Sequence, residues 1–372
     1  MFNNCSFKRR PTRVEISFPA LENNVSLIKS IIGNRKIMGI VKANAYGHGL
    51  VEISRQLEKL GIEYLGVAYI EEAVYLRKKD IKIPILVLGA IDNSQIPIFI
   101  KNDVNITGSS IEKLEKISEV ASKMGKKAKV HLKIDTGMGR IGVQWDRKEE
   151  FLKKAYSLKN IEIVGIFSHF ADSPMDIQFT KQQLERFQSV LGYIEKNFHR
   201  PEIVHMANTG ALSNSFEESF FDMVRPGLLI YGYSQNPKIQ KLLEPVMSFK
   251  TKISYFKVLG RDSSVGYDRK YYTKEQTRIV TLPVGYADGY PRSLSNKGFV
   301  YLREKRYPVI GNVCMDQVMV NIGKEGEAYV GDDVELWGEN ISLHEISKQS
   351  NRCLWELLSG ISERVPRIYK NK

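Results

Sequence analysis

One lysine stands where a strand is expected to end. The apolar run 37–41 leads directly into Lys42 and a turn punctuated by Gly47 and Gly49. Strand ends of this kind are where barrel enzymes keep catalytic residues. A lysine amine adds to an aldehyde only when it is unprotonated, so burial or nearby positive charge must lower its pKa. Lys42 is therefore a candidate Schiff-base nucleophile, although most lysines at loop edges are solvated surface residues.

A glycine-rich turn follows another predicted strand. Gly137, Gly139 and Gly142 have the spacing of a dinucleotide-binding loop, and Arg140 lies among them. That loop needs an acidic residue about 20 positions later, at the end of the next strand, to hold a ribose. Here the next predicted strand, 161–168, runs on into His169, so we reject dinucleotide binding.

Two histidines also sit at predicted strand ends. His169 and His205 are each compatible with a satisfied core position or with a site, and their type alone leaves both open. The second one precedes Asn208-Thr209-Gly210, where a strand gives way to a small-residue turn and a helix start. Free backbone N–H groups point outward at such a place, which makes it a candidate phosphate site.

The elements that position these residues alternate along the chain. Apolar runs are separated by helical patterns, such as the one formed by Leu50, Ile53, Leu57 and Leu60. This alternation predicts a parallel sheet, and eight units close into a barrel. The predicted strands are 37–41, 64–69, 83–88, 104–107, 129–134, 161–168, 203–207 and 223–231. The fold class is α/β, with a (β/α)8 TIM-type barrel over residues 14–241.

The pattern changes after residue 231. The segment 234–237, Ser-Gln-Asn-Pro, breaks the alternation, and β-rich segments without long helices follow at 247–259, 277–283, 315–322 and 334–337. We predict a mainly β domain over residues 242–372, with residues 1–13 packing on it.

Composition excludes several classes of protein. The chain has 372 residues, 42% of them hydrophobic, and a formal net charge of +13. Its lysines are interleaved with acids on amphipathic helices such as 111–125, and neither a zinc-finger spacing nor an RNP-type aromatic strand is present, so the charge does not indicate nucleic acid. Three unpaired cysteines predict neither disulfides nor structural zinc. With no signal peptide and no apolar span, we expect no membrane partner and a cytoplasmic location.

The motifs together resemble the alanine racemases, enzymes that carry pyridoxal 5'-phosphate on a lysine. The resemblance covers essentially the whole chain and begins with the segment 41–49, where Lys42 is the attachment lysine. It implies three further groups of site residues. Cofactor-binding residues are Lys42, Tyr46, His169, His205, Asn208, Thr209, Arg225, Gly227, Leu228 and Tyr369. Substrate-side residues are Arg140, Met315 and Tyr286, the first of which points at the cofactor's phenolic oxygen. Lys133 matches a lysine that becomes carbamylated in the family, and no metal is implied.

Arg225 discriminates best among enzymes that use this cofactor. Many of them set a carboxylate against the pyridine nitrogen, which keeps the ring protonated and a strong electron sink. An arginine cannot accept that proton, so the ring nitrogen stays neutral, which suits racemisation and disfavours decarboxylation or transamination. The resemblance further implies two bases, Lys42 and a tyrosine from a second subunit, Tyr267, acting on opposite faces of the substrate. It therefore implies a homodimer with shared active sites.

The implied activity is the interconversion of L-alanine and D-alanine, which supplies D-alanine for bacterial peptidoglycan. Two alternatives stay open on the sequence. A barrel-plus-β decarboxylase would share Lys42, but it should carry an acid in place of Arg225. A non-catalytic carrier of pyridoxal phosphate would lack everything after Pro237. Tyrosines in glycine turns, such as Tyr267 and Tyr286, are also commonly packing residues.

Overall fold

The computed structural model describes residues 10–371, which form two compact units. One contains residues 20–45 and 49–244, and the other contains residues 10–19, 46–48 and 245–371. Of the predicted N-terminal segment 1–13, residues 1–9, including Cys5, lie outside the described residues. The domain boundaries 14–241 and 242–372 stay predictions.

Eight parallel strands of the first unit, counted within residues 10–371, form a nearly closed barrel. They are Lys36–Ile40, Tyr64–Val67, Ile85–Val87, Ile106–Gly108, Ala128–Asp135, Ile161–Phe167, Ile203–Asn208 and Met223–Arg225. Chain neighbours pair in parallel, and the last strand pairs with the first. A single bridge between Leu86 and Asn105 joins the third and fourth strands. The predicted (β/α)8 barrel followed by a mainly β domain is confirmed.

The eighth strand is shorter than predicted. It ends at Arg225, whereas the sequence pattern extended it to Tyr231. Pro226 follows and has no N–H to donate to a sheet, and residues 227–233 form consecutive turns. The apolar residues that suggested a strand are buried all the same, because this turn packs inside the unit: Leu228, Leu229, Ile230 and Tyr231 are each at most 1% exposed.

Helices follow most of the barrel strands. Their apolar residues recur three and four positions apart and face inward, as Leu50, Ile53 and Leu57 do in the helix Leu50–Lys59. Between residues 18 and 244, the helices of eight residues or more are Phe18–Ile32, Leu50–Lys59, Ile70–Lys78, Ile111–Lys123, Lys148–Ser157 and Ile177–Asn197. Shorter ones are Ile96–Lys101, Thr209–Ser213 and Pro237–Gln240. Among the described residues, no helix combines the length and apolar character needed to cross a membrane.

The second unit is built on a nine-stranded sheet. Its strands, in spatial order, are Tyr255–Leu259, Thr277–Leu282, Val318–Gly323, Lys305–Ile310, Phe299–Leu302, Asp333–Trp337, Met247–Lys252, Arg13–Ser17 and Arg367–Lys370. A separate hairpin pairs Ser264–Val265 with Tyr271–Tyr272. Burial alternates along Met247–Lys252, and Phe249 packs against Trp337 with ring centroids 4.7 Å apart. Two helices, Leu343–Ser350 and Leu354–Ser359, complete the unit.

Candidate active site

Lys42 follows the first barrel strand and begins an unusual turn. The next four residues, 43–46, all have left-handed backbone angles, with φ of 54°, 55°, 52° and 51°. Left-handed conformation is unfavourable for residues with a side chain, so a run of four needs support. Asn44 supplies part of it, because its carbonyl and its side-chain oxygen accept from Gly49 N and Leu50 N at 3.0 and 2.8 Å.

Glu72 supports the turn from a neighbouring helix. One carboxylate oxygen accepts from Ala43 N at 2.7 Å and the other from Ala68 N at 2.8 Å. The Lys42 side chain is half-buried. Burial lowers the pKa of its amine below the ordinary value, and the positive charge of Arg140 lowers it further, against an opposing effect of Glu72. The amine is therefore easier to deprotonate than that of a surface lysine.

Arg140 itself is exposed, at the end of the glycine-rich turn. The turn closes on Asp135, whose carboxylate accepts from the backbone N–H groups of Gly137, Met138 and Gly139 at 2.9 to 3.2 Å. The backbone amides that a dinucleotide phosphate would use are thus occupied by the protein's own carboxylate, which agrees with the rejection of that function.

Lys133 is nearly inaccessible, with 3% of its surface exposed. Its Nζ donates to the Ile134 carbonyl at 3.3 Å and lies 4.8 Å from the centroid of the Phe167 ring. Burial lowers the pKa of the Lys133 amine well below its ordinary value, and the charges of Arg225 and Arg140 act in the same direction. Without the resemblance we would have assigned this residue to the surface.

Arg225, the last residue of the eighth barrel strand, is buried and makes four hydrogen bonds. Its Nη2 donates to the carbonyls of Ser168 and Met206 at 2.8 and 3.0 Å. Nη2 also lies 3.1 Å from His169 Nδ1, and Nη1 lies 2.9 Å from His205 Nδ1. Within the described residues all these bonds use the two terminal nitrogens, so the Nε–H remains available to an acceptor.

The chain of buried histidines continues past His205. Its Nε2 lies 2.9 Å from Nδ1 of His131, whose Nε2 lies 3.3 Å from the side-chain amide of Asn105. Because a guanidinium only donates, His205 must accept at Nδ1 and carry its proton at Nε2. The same rule makes His131 accept at Nδ1 and donate from Nε2, so the Asn105 amide must present its oxygen there.

Sequence analysis missed His131 and Asn105. His131 shares a strand face with Lys133, two residues along, and that alternation was the available signal. Burial lowers the pKa of His131 to about 3, and the charge of Arg225 contributes. Burial also lowers the pKa values of His169 and His205 well below the ordinary value, with Arg225 again the next cause. All three rings are therefore neutral at neutral pH.

The predicted phosphate site lies where the seventh strand meets the short helix Thr209–Ser213. Asn208 caps this helix, because its Oδ1 accepts from Ala211 N at 3.2 Å and from Ser173 Oγ at 2.6 Å. The Thr209 hydroxyl accepts from Gly227 N at 3.0 Å, which brings the two predicted segments together. Leu228, next in the chain, is buried.

Two predicted site residues belong to the second unit. Tyr46 is buried, and burial raises the pKa of its phenol to about 12. Tyr369 lies on the strand Arg367–Lys370, where its hydroxyl donates to the His48 carbonyl at 3.2 Å. Its ring stacks on Phe18, with centroids 5.5 Å apart.

Three more predicted residues lie on exposed loops of that unit. Tyr267 is 72% exposed, Met315 52% and Tyr286 42%. Tyr286 N donates to the Cys314 carbonyl at 3.0 Å, and Ala287 N donates to the Met315 carbonyl at 3.1 Å. These loops touch so closely at Gly285 that an added Cβ would lie 2.2 Å from the Cys314 oxygen.

A buried carboxylate, which sequence analysis missed, anchors the same loop. Asp288 is fully buried and accepts from Gly285 N at 3.0 Å, from Arg364 Nε at 2.7 Å and from Arg10. Arg364 also donates to Asp316, next to Met315, at 2.6 Å. Burial alone would raise the pKa of Asp288, but hydrogen bonds from Arg10 and Arg364 hold it below its ordinary value.

Comparison with known proteins identifies the family. The chain matches the alanine racemase N-terminal domain over residues 16–235 and the alanine racemase C-terminal domain over residues 246–369. It is 42% identical over 369 residues to alanine racemase 2 of Caldanaerobacter subterraneus subsp. tengcongensis, an alignment that covers 97% of this chain and 95% of the relative. The chain belongs to the alanine racemase family. The resemblance found in the sequence is thereby confirmed.

Solved alanine racemases have the same fold. The enzyme from Clostridium difficile 630 superposes with a TM-score of 0.93 at 35% identity and covers 98% of this chain and 97% of its own. The enzyme from Bartonella henselae, solved with covalently bound pyridoxal phosphate, gives a TM-score of 0.89 at 27% identity over 97% and 100% of the two chains. These matches favour neither a decarboxylase nor a single-barrel carrier. The roles of the individual residues stay predictions.

Proposed function

We propose that this protein interconverts L-alanine and D-alanine with pyridoxal 5'-phosphate as its cofactor. The observation that carries the proposal is Arg225. It is buried, both of its terminal nitrogens are engaged, and its Nε–H is available at the end of the eighth barrel strand. A donor-only group in that position would accept no proton from a pyridine nitrogen and would favour reprotonation at Cα over other outcomes.

The residues present fit this cofactor. Lys42 has the lowered pKa that an attachment lysine needs, because its amine must be neutral to react with an aldehyde. Asn208, Thr209, Gly227 and Leu228, already joined by the bond from Gly227 N to Thr209, would hold the phosphate. The other residues proposed to line the cofactor are Tyr46, His169, His205 and Tyr369. When bound, pyridoxal phosphate withdraws electrons from Cα and so makes the α-hydrogen of an amino acid acidic.

Two bases would exchange that hydrogen. Lys42 would remove or return the proton on one face of Cα, and Tyr267 would serve the opposite face, so that each turnover takes one proton and returns one. The 72% exposure of Tyr267 on its own unit supports a role toward another chain. We accordingly propose a homodimer in which the partner's Tyr267 completes each site.

The substrate side chain is proposed to be small. The loops that carry Met315 and Tyr286 are joined by two backbone hydrogen bonds and anchored by Asp288 and Arg364, so the backbone at both positions is restrained. A pocket lined by a methionine and a tyrosine on restrained loops would accommodate a methyl group and would disfavour longer side chains. Arg140, the charged residue beside Lys42, would face the cofactor's phenolic oxygen.

Lys133 is proposed to be carbamylated. Its buried amine has a pKa well below the ordinary value, which makes it a nucleophile toward carbon dioxide. The nitrogen bonds the carbon of carbon dioxide and releases one proton to solvent, so the product is an anion, which the charges of Arg225 and Arg140 that disfavour a protonated amine would stabilise. Mass spectrometry of the native protein should find the mass of one carbon dioxide added, lost on acidification and absent from Lys133→Arg. An unmodified Lys133 in bicarbonate buffer would refute the carbamylation.

The enzyme is proposed to act in the cytoplasm and to supply D-alanine for peptidoglycan. Incubation of the cofactor-loaded protein with L-alanine should yield D-alanine, detected by chiral chromatography. Borohydride reduction followed by peptide mapping should find the pyridoxyl group on Lys42, and Lys42→Ala should take up no label there. Conversion of L-alanine to carbon dioxide and an amine instead would identify a decarboxylase.

A further inference from the structure

The loop that carries Tyr267 has a strained backbone. Ser264–Val265 and Tyr271–Tyr272 form only two residue pairs, and the residues between them make a tight reversal. Gly266, Asp268 and Arg269 have φ values of 74°, 59° and 48°. Only the glycine adopts such angles without cost, so this conformation must be held by contacts from outside the loop.

Apolar packing cannot provide those contacts. Residues 266–270 are all exposed, and Tyr267 is among the most exposed of the large hydrophobic residues in the described part of the chain. The backbone of Gly266 nevertheless packs closely against a neighbour, because a Cβ added there would lie 2.9 Å from Met319 Cε. The loop therefore packs tightly on the rest of its own unit at Gly266, while the residues that follow, 267–270, are exposed to solvent.

Two asparagine side chains bind the backbone carbonyls of the loop. Asn312 Nδ2 donates to the Tyr267 carbonyl at 3.1 Å and to Asp268 Oδ2 at 2.9 Å. Asn296 Nδ2 donates to the Lys270 carbonyl at 3.3 Å. These carbonyls lie at the beginning and at the end of the left-handed segment, so the two amides restrain both of its sides.

The two asparagines are themselves joined. Asn296 Oδ1 accepts from Gly311 N, the residue before Asn312, at 2.7 Å. Three positions beyond Asn312 lies Met315, whose carbonyl accepts from Ala287. One backbone segment, 311–315, thus connects the loop of Tyr267 with the loop of Tyr286.

We propose that Asn312, assisted by Asn296, is a positioning residue that aims the Tyr267 hydroxyl at the substrate proton it exchanges. The role rests on the proposed function, in which Tyr267 acts on L-alanine and Lys42 acts on D-alanine. An aspartate has nearly the same shape as an asparagine but cannot donate, and at position 312 it would also repel Asp268. Loss of the hydrogen bonds from Asn312 should therefore slow proton exchange by Tyr267 and leave proton exchange by Lys42 unchanged.

The test compares α-hydrogen exchange of the two enantiomers. Initial rates of deuterium incorporation into L-alanine and D-alanine would be measured in deuterated water with cofactor-loaded wild type and with Asn312→Asp. We expect the L-alanine rate to fall on the order of tenfold to a hundredfold through misplacement of the tyrosine, with the D-alanine rate changed by less than about twofold. Asn296→Ala should show the same asymmetry to a smaller degree, and it keeps the test available if Asn312→Asp fails to fold.

A matched control is Asn340→Ala, because Asn340 bonds Glu335 and none of the hairpin residues. It should leave both rates at the wild-type values. Equal loss of both rates in the Asn312 and Asn296 variants would mean a purely structural role and would overturn the proposal, as would unchanged rates. A wild-type protein that exchanges the α-hydrogen of neither enantiomer would instead contradict the proposed function, on which the role of Asn312 depends.

Discussion

Arg225 Nη1 lies 2.9 Å from His205 Nδ1, and this contact sets the direction of every hydrogen bond that follows it into the barrel. The guanidinium donates, so His205 accepts and passes a donor to His131 in turn. If His205 or His131 were protonated, its Nδ1–H would face the N–H donor of the preceding residue in this hydrogen-bond series, and the bond would be lost. The arrangement therefore requires neutral histidines and keeps Arg225 in place as a cation.

The buried histidines should make stability depend on pH. The pKa of His131 is lowered to about 3, so between that value and the ordinary histidine pKa of about 6.5 the unfolded chain binds a proton that the folded chain does not. The free energy of unfolding should fall as the pH decreases through this window, by about 1.4 kcal/mol per pH unit for one proton. Denaturant unfolding at several pH values should show that the unfolding free energy of His131→Gln changes less per pH unit than that of wild type.

The exposed His199 provides the control for that measurement. His199→Gln should retain the wild-type dependence of unfolding free energy on pH, because its ring is outside the buried chain. If the unfolding free energies of wild type and His131→Gln depended on pH in the same way, the burial of a neutral imidazole at position 131 would be contradicted.

Arg225 should decide what happens to the substrate carbanion. Arg225→Glu would place a proton donor or a carboxylate against the ring nitrogen, and we expect racemisation to fall on the order of a hundredfold, the usual scale for losing a preorganised charged donor. The ratio of transamination to racemisation should rise, together with absorbance at long wavelength. Arg225→Lys is the control, since it keeps the positive charge, and its product ratio should stay near wild type. An unchanged product ratio in the cofactor-loaded Glu variant would count against the role.

The narrow pocket should be set by Met315. Alanine should be preferred over leucine in kcat/KM, because each group that an apolar pocket cannot accommodate costs about 1 to 3 kcal/mol. Met315→Gly should reduce that preference by roughly tenfold. Met175→Ala, which changes an exposed methionine of the barrel unit, should leave it unchanged. A wild-type enzyme that turned over leucine as well as alanine would refute the pocket.

The sequence predicted the barrel strands well because each is a short apolar run with polar ends. The strand Lys36–Ile40 was placed one residue late, whereas Met223–Tyr231 was extended six residues too far, since buried turn residues are as apolar as strand residues. The structure ends this strand at Arg225, just before Pro226, and the role of Arg225 stays a prediction. Its hydrogen-bond partners come from two other strands of the barrel or their ends, Ile161–Phe167 and Ile203–Asn208, and no local pattern at position 225 indicates them.

Other features depend on contacts between distant parts of the chain. Nothing in Ala43-Asn44-Ala45-Tyr46 predicts four left-handed residues, because only asparagine tolerates that conformation readily and the support comes partly from Glu72. Tyr267 was found through its motif. The asparagines that hold its loop lie 29 and 45 positions away in the sequence and carry no local signal.

The most direct test of a two-base racemase with shared sites is complementation between two inactive chains. Lys42→Ala and Tyr267→Phe would each be purified alone, shown to lack racemase activity, and then co-expressed with different affinity tags to isolate the heterodimer. A shared arrangement leaves one site with both lesions and the other intact, so the heterodimer should recover about half of the wild-type specific activity. Confirmed heterodimers that stay inactive would show that Lys42 and Tyr267 do not meet across two chains and would contradict the mechanism.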